Sequence, residues 1–406
     1  MRDFSVPPYS STPASSPSSP VRARRRDGLK WAAVIAAVLV ALLLGLITLS
    51  VIGYGTGPVA LLIGLVIAAL PVPFYVTLVL WLDRYEAEPA WALATAFFWG
   101  ALVAVFFALV VNSFGELLVE GLFSKDVASF YGVVISAPVV EESVKALALF
   151  ALYFWMRDEF DGVLDGIIYA AMIGLGFAMT ENVKYYAEAV AEGGAFGTFI
   201  VRGMFSPYAH PLFTSMTGIG LGIASQSARR AVRAFAPLAG FVLAVFLHCA
   251  WNASVYFSQR FDDGRFAIVT YFVVMVPVFT CVLVAVLFAL RREGRILREH
   301  LRCDLEIGLL SPDEYSCLCS IRGRTGASFR ALTRGGFASW RMRRRLHGLA
   351  SELAFRRDRL ARGILSRDDS EALREATYVQ TIYEWRARFD PIETTLTRDA
   401  GAREHL

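Results

Sequence analysis

Eight windows of about 20 mostly apolar residues follow one another through the first 290 positions, near 31–53, 57–81, 91–112, 129–156, 162–186, 198–224, 235–257 and 266–290. Such a length matches the ~30 Å hydrocarbon core of a bilayer at ~1.5 Å per helical residue, where no water satisfies free backbone N–H and C=O groups. Each window therefore has to close its own hydrogen bonds as a helix. The expected fold is all-α, a polytopic membrane protein with about eight transmembrane helices. At 56% hydrophobic residues the chain lies above the roughly 45–50% apolar usage of soluble domains.

The polar residues collect at the two ends. Residues 1–29 are rich in Ser and Pro and then in Arg, the composition of a disordered tail. Residues 30–290 form the transmembrane unit. Residues 291–406 are rich in Arg, Asp and Glu, with helical apolar spacing over 339–365 and 369–389, and are expected to form a small helical cytoplasmic tail. Basic residues cluster at 22–30, 225–233 and 291–298, all on one side of an eight-span arrangement, which the positive-inside rule makes the cytoplasmic side. A plasma-membrane protein with both termini in the cytoplasm is the result. The Arg cluster at 341–345 suits anionic lipid headgroups or a partner protein, though a solvated helix face explains it equally well, and charge alone does not argue for nucleic acid. The five cysteines include no CxxC pair of a structural zinc site.

Against that apolar background a few polar residues stand out. Glu141 and Glu142 lie inside the window 129–156, where an ionised carboxylate costs at least ~2.5 kcal/mol, so the default reading is functional. Lys145 is one helical turn from Glu141 and can pair with it, which leaves Glu142 without an obvious local partner and open to a base role towards water. A buried ion pair that glues helices together is the competing reading. The window 162–186 carries Asp165 and Glu181, too far apart to share a site, and Gly162, Gly166, Gly174 and Gly176, which permit close helix packing. Asn182 and Lys184 there also suit an interfacial anchor. His210 stands between Pro207 and Pro211, where a kinked or broken helix is expected beside protein or water, and His248 and Asn252 share one helix face.

Taken in order, "DRYEAEP" (83–89), "EESVK" (141–145), "FAMTEN" (177–182), "AHPLF" (209–213) and "HCAWN" (248–252) resemble the motif series of the PrsW family of intramembrane proteases. The resemblance spans roughly residues 70–260. It implies a multi-helix membrane peptidase, distantly related to the CAAX prenyl endopeptidases, whose founding members make the first cut in a membrane-anchored anti-sigma factor. In those distant relatives a glutamate matching Glu141 activates water, and a His-x-x-x-Asn motif matching His248 and Asn252 stabilises the oxyanion. Lys145, Phe177 and Asn182 fall in the same motifs as supporting residues. This chain has Glu181 where those relatives carry a histidine, so His210 is the candidate for that role.

Two chemistries are open. In one, Glu181, His210 and His248, with Glu141 or Glu142, bind zinc or another divalent metal; in the other, Glu141 deprotonates water directly while His248 and Asn252 hold the oxyanion. The absence of an HExxH helix weighs against the metal, and the family's label as metalloprotease weighs for it. The expected partners are a membrane-protein substrate, anti-sigma-factor-like by analogy, and the bilayer. Rival readings are a transporter or proton relay, which strings carboxylates across the membrane, and an inactive scaffold whose tail recruits partners.

Overall fold

The computed structural model describes residues 20–384 apart from 84, 86, 158, 159, 366, 367 and 369, with side chains from Trp31 onward except Phe205. The expected N-terminal tail over 1–19, the side chains of Arg22, Arg24, Arg25 and Arg26, and the segment beyond 384 lie outside the described residues. Among the described residues all regular structure is helical.

Nine segments build the membrane unit: α1 (Pro20–Thr56), α2 (Pro58–Leu82), α3 (Ala90–Leu122), α4 (125–155), α5 (Val163–Glu192), α6 (195–205), α7 (Ala209–Ser225), α8 (Arg230–Arg260) and α9 (265–300). Among the described residues six helices qualify as spans by length and composition: Trp31–Thr56, α2, α3, α5, α8 and Arg265–Glu306. The two remaining windows of the eight are 129–156 and 198–224, of which only the second was expected to be broken, at its prolines. Window 129–156 lies in α4, which carries Glu141, Glu142 and Lys145, and window 198–224 is divided into α6 and α7 by the break at 206–208. The break falls at the prolines, as expected. Pro211 sits in the first turn of α7, where its missing N–H removes no intrahelical bond.

Helix α5 is the axis of the bundle. Its most apolar stretch is 83% buried, against 17–33% in the other five spans, and α2, α3, α4, α7 and α9 all pack on it. Glycine permits this closeness. A Cβ on Gly166 would stand 2.1 Å from the Gly218 carbonyl oxygen, and one on Gly174 2.6 Å from the Pro211 nitrogen, so the contact of α5 with α7 has no room for a methyl group. That contact sets the position of His210.

The C-terminal region adds α10 (Arg302–Glu306), α11 (Pro312–Leu318), α12 (Ile321–Ala361, broken at Gly336) and a helix over 370–384. Rather than hanging free, this tail shares one apolar core with the membrane unit, in which Leu318, Leu346, Leu353 and Phe355 join Val79, Tyr85, Leu152 and Leu297. Arg324 is the clasp. Its guanidinium donates to the carbonyl oxygens of Tyr85 (2.7 Å), Leu318 (2.7 Å) and His347 (3.3 Å) and to Ser351 Oγ (2.7 Å). Arg359 and Arg362 reach the carbonyls of Arg157 and Gln226, so the loops after α2, α4 and α7 all face the tail.

Candidate active site

Four helices contribute the polar cluster, and it forms at one level. From the tail-side ends of their helices, Glu141, Glu181, His210 and His248 stand ~21 to ~27 Å along at ~1.5 Å per residue. A proton relay would spread its carboxylates through the depth of the membrane. Asp165, the remaining acid of α5, instead accepts the backbone N–H groups of Asp161 (2.9 Å) and Gly162 (2.6 Å) and caps its own helix.

At the centre, Glu141 Oε2 lies 3.9 Å from His210 Nδ1 and 3.9 Å from His248 Nε2. These three side chains can present one ligand atom each within 4.8 Å of one another, all from buried residues. The outer nitrogen of each histidine meets a carboxylate: His210 Nε2 stands 2.8 Å from Glu181 Oε2, and His248 Nδ1 stands 3.1 Å from Glu142 Oε1. A carboxylate behind an imidazole fixes its tautomer and turns the other nitrogen inward. Phe213 stacks on the His248 ring at 4.8 Å and Phe177 lies 5.1 Å from that of His210, which limits their rotation.

Lys145 occupies the middle of this arrangement. Its Nζ is 2.8 Å from Glu142 Oε1, 3.4 Å from Glu141 Oε2 and 3.1 Å from His210 Nδ1, and it sits 3.8 Å above the Phe177 ring. The expectation that Lys145 serves Glu141 and leaves Glu142 unpartnered is corrected here. Glu142 is the more fully engaged of the two, because it also accepts from Thr214 Oγ1 at 2.9 Å and meets His248. A residue three positions away shares a helix face as well as one four away, and contacts from α7 and α8 draw the ammonium towards Glu142. Glu141 is left with the looser contact.

Glu181 belongs to the cluster, but one layer out. Besides His210 it binds Arg202 Nη2 at 2.5 Å, while Arg202 Nε donates to Asn182 Oδ1 at 2.7 Å. The metal-type group is thus Glu141, His210 and His248, with Glu181 outside it. Asn182 is buried and tied to Arg202, whereas Lys184 is half exposed and near Glu188, as an interfacial residue would be. Asn252 shares the His248 helix face, but its amide donates to the Val133 carbonyl at 2.9 Å, in the wide π turn that precedes Glu141.

Arg202, Thr214 and Phe213 were not singled out from sequence. An arginine one helix away from an intramembrane glutamate was a usable signal, since each charge lowers the cost of burying the other.

The residues present fit a divalent ion of the zinc type. Two imidazole nitrogens and one carboxylate oxygen face a common point, two of them backed by outer carboxylates, which is the N/O donor set and supporting shell such a metal takes. Lys145 Nζ contacts two of these three donors, His210 Nδ1 at 3.1 Å and Glu141 Oε2 at 3.4 Å, so an ion bound there would take its place.

Comparison with known proteins agrees. The family model described as PrsW family intramembrane metalloprotease matches residues 88–282. "Protease PrsW" of Geobacillus kaustophilus is 32% identical over 180 residues, covering 44% of this chain and 73% of the relative. The proteins of the same name from Clostridioides difficile and Bacillus subtilis are 36% and 30% identical over 138 and 152 residues, covering 34% and 37% of this chain and 55% and 63% of those relatives. No solved structure matches the chain. A buried Glu/His cluster within a multi-pass membrane bundle, in a chain matched to these relatives over its central region, makes this protein a member of the PrsW family of intramembrane metalloproteases.

Proposed function

We propose that this intramembrane endopeptidase hydrolyses its substrate at Glu141, with His210 and His248 completing the reacting centre. The observation that carries the reading is the convergence of Glu141 Oε2, His210 Nδ1 and His248 Nε2, each drawn from a different helix. These three side chains would hold the metal. A zinc-type ion there supplies Lewis acidity towards the scissile carbonyl and a water of lowered pKa. Glu181 and Glu142 keep the two imidazoles in the tautomers that point inward, Thr214 fixes Glu142, and Lys145 neutralises the two adjacent carboxylates. Asn252 positions the wide turn of α4 that precedes Glu141 by holding Val133. Phe177 is the platform for Lys145, and Asn182 steadies Arg202 behind Glu181.

One observation favours a second, metal-free chemistry. Lys145 already stands where a cation would be held, which leaves Glu141 free to take a proton from water while His248, carrying a proton on both nitrogens, donates from Nε2 towards the oxyanion. A chelator separates the two, because it abolishes the first and spares the second.

The proposed substrate is a membrane-anchored protein cut in or near its membrane segment, anti-sigma-factor-like by family resemblance. The proposed setting is the plasma membrane with the tail in the cytoplasm, supported by basic residues on the loops that face the tail. Residues 30–290 act as the proteolytic unit and 291–406 as its cytoplasmic cap. The test is N-terminal peptide profiling of host membranes, wild type against the Glu141→Ala/Glu142→Ala double variant at equal abundance. New termini beside the membrane segment of one or a few proteins, present with wild type alone, are expected. Identical profiles under several envelope stresses would reject the reading.

A further inference from the structure

A lateral groove of about 650 Å³ opens between α4 and α8, on the tail side of the catalytic cluster. It runs from Ser143 and Phe241 at its deep end to Phe154 and Arg230 at its mouth, with Phe150 and Arg233 among its walls. Eleven residue steps on either helix, 143 to 154 and 230 to 241, give it a length of ~17 Å, close to the ~15 Å of one leaflet's hydrocarbon in a ~30 Å core. The walls are chiefly aromatic and aliphatic. Arg230 and Arg233, one turn apart on α8, are exposed and have no ion-pair partner among the described residues.

We infer that this groove binds an anionic phospholipid of the tail-side leaflet, with its phosphate on Arg230 and Arg233 and its acyl chains against Phe150, Phe154 and Phe241. Each feature matches one part of the ligand: two guanidiniums at headgroup level for the phosphate and an apolar slot one leaflet deep for the chains. The inference does not depend on which reaction the cluster performs. It carries a consequence for that cluster, because the walls of the groove are the helices that bear Glu141, Glu142 and His248. A lipid seated there sets the spacing of α4 and α8.

The test uses the full chain in vesicles of 30% phosphatidylglycerol and 70% phosphatidylcholine carrying a trace of photoactivatable phosphatidylglycerol. Cross-links are expected on peptides containing 143–154 and 230–241, displaced at least tenfold more effectively by phosphatidylglycerol than by phosphatidylcholine. The Arg230→Gln/Arg233→Gln variant should label about tenfold less. Ala234→Trp keeps both arginines and fills the slot, so it too should label about tenfold less, whereas undiminished labelling would reduce the effect to surface attraction and overturn the site. Cross-links scattered over the wild-type bundle without enrichment at α4 and α8 would overturn it without recourse to any variant. So would cross-linking of these two segments to a protein's membrane helix in place of lipid.

Discussion

Lys145 and Arg324 are both buried cations, 0% and 4% exposed, in two parts of one core. Lys145, inside the bilayer bundle, is surrounded by groups that gain or lose protons: Glu141, Glu142 and His210. Arg324, where the tail meets the loop after α2, binds backbone carbonyls and a serine hydroxyl, none of which titrates. The first environment can redistribute charge during a reaction. The second is a permanent charge spread over a rigid fork that joins three chain segments, which is the use to which arginine is better suited than lysine. Equal burial thus accompanies opposite duties, and the partners tell them apart.

The widest separation of the two regions is expected from Glu141→Gln. Cleavage in a purified assay should fall at least ~10³-fold, within the range for loss of an acid–base group or metal ligand, with the melting temperature held. Substantial residual turnover would remove Glu141 from the centre. Arg324→Met should do the converse. It strands the buried carbonyl of Leu318, while that of Tyr85 keeps the Ser351 hydroxyl, at a cost of about 2 kcal/mol in stability, and turnover per folded molecule changes only a few-fold. Limited proteolysis of the tail and thermal melting read the first effect, and an intact tail in this variant would break the comparison.

Glu181→Gln tests the outer layer of the cluster. Loss of the carboxylate behind His210 should weaken metal binding by about 10- to 100-fold, measured by titration with zinc and a competing chelator. Equal affinity in both proteins would remove Glu181 from the layer that supports the metal. The smallest effect belongs to the tail junction and to pH. Burial, with Arg324, Arg343 and Arg344 nearby, holds the His347 imidazole down to about 3 from an ordinary value near 6.5. The unfolded chain therefore binds a proton that the folded chain refuses, and stability is complete above ~6.5 and declines as pH falls below it towards about 3. Between pH 7 and 5 the wild type should lose about 2 kcal/mol relative to His347→Gln. Burial acts in the opposite sense on Asp83, raised to about 7, and Asp161, raised to about 6, whose junction contacts weaken as pH rises from ~4 to those values. These groups run against one another, so only the difference between wild type and variant reads His347.

Much of this could be read from the chain. Apolar windows of bilayer length identify a helical membrane protein without any partner being known, and the cost of burying Glu141, Glu142 and Lys145 marks them out. Proline at 207 and 211 locates the break before α7, and the glycines of α5 announce close packing. What could not be read is which helix faces which. Periodicity gives the face of a residue but not its neighbour, so Thr214 behind Glu142 and Arg202 behind Glu181 emerge only once α4, α5, α6 and α7 are packed. The docking of the tail escaped for the same reason, since Arg324 is one arginine among many until its carbonyl partners are in place.

Four helices contain a wide turn, at 99–104, 131–136, 200–205 and 271–275. In three of these turns a carbonyl accepts from a side chain: Ala101 from Thr180, Val133 from Asn252 and Val201 from Ser206. A turn of this kind takes up one residue more than an α-helical turn, and an extra residue in a regular helix would rotate everything beyond it by ~100°. The segment 131–136 can therefore gain or lose a single residue with Glu141 still facing His248. Between Glu141 and Lys145 the same change in length would turn the ammonium out of the cluster, so tolerance to insertions and deletions should change abruptly within one helix, at Ala137.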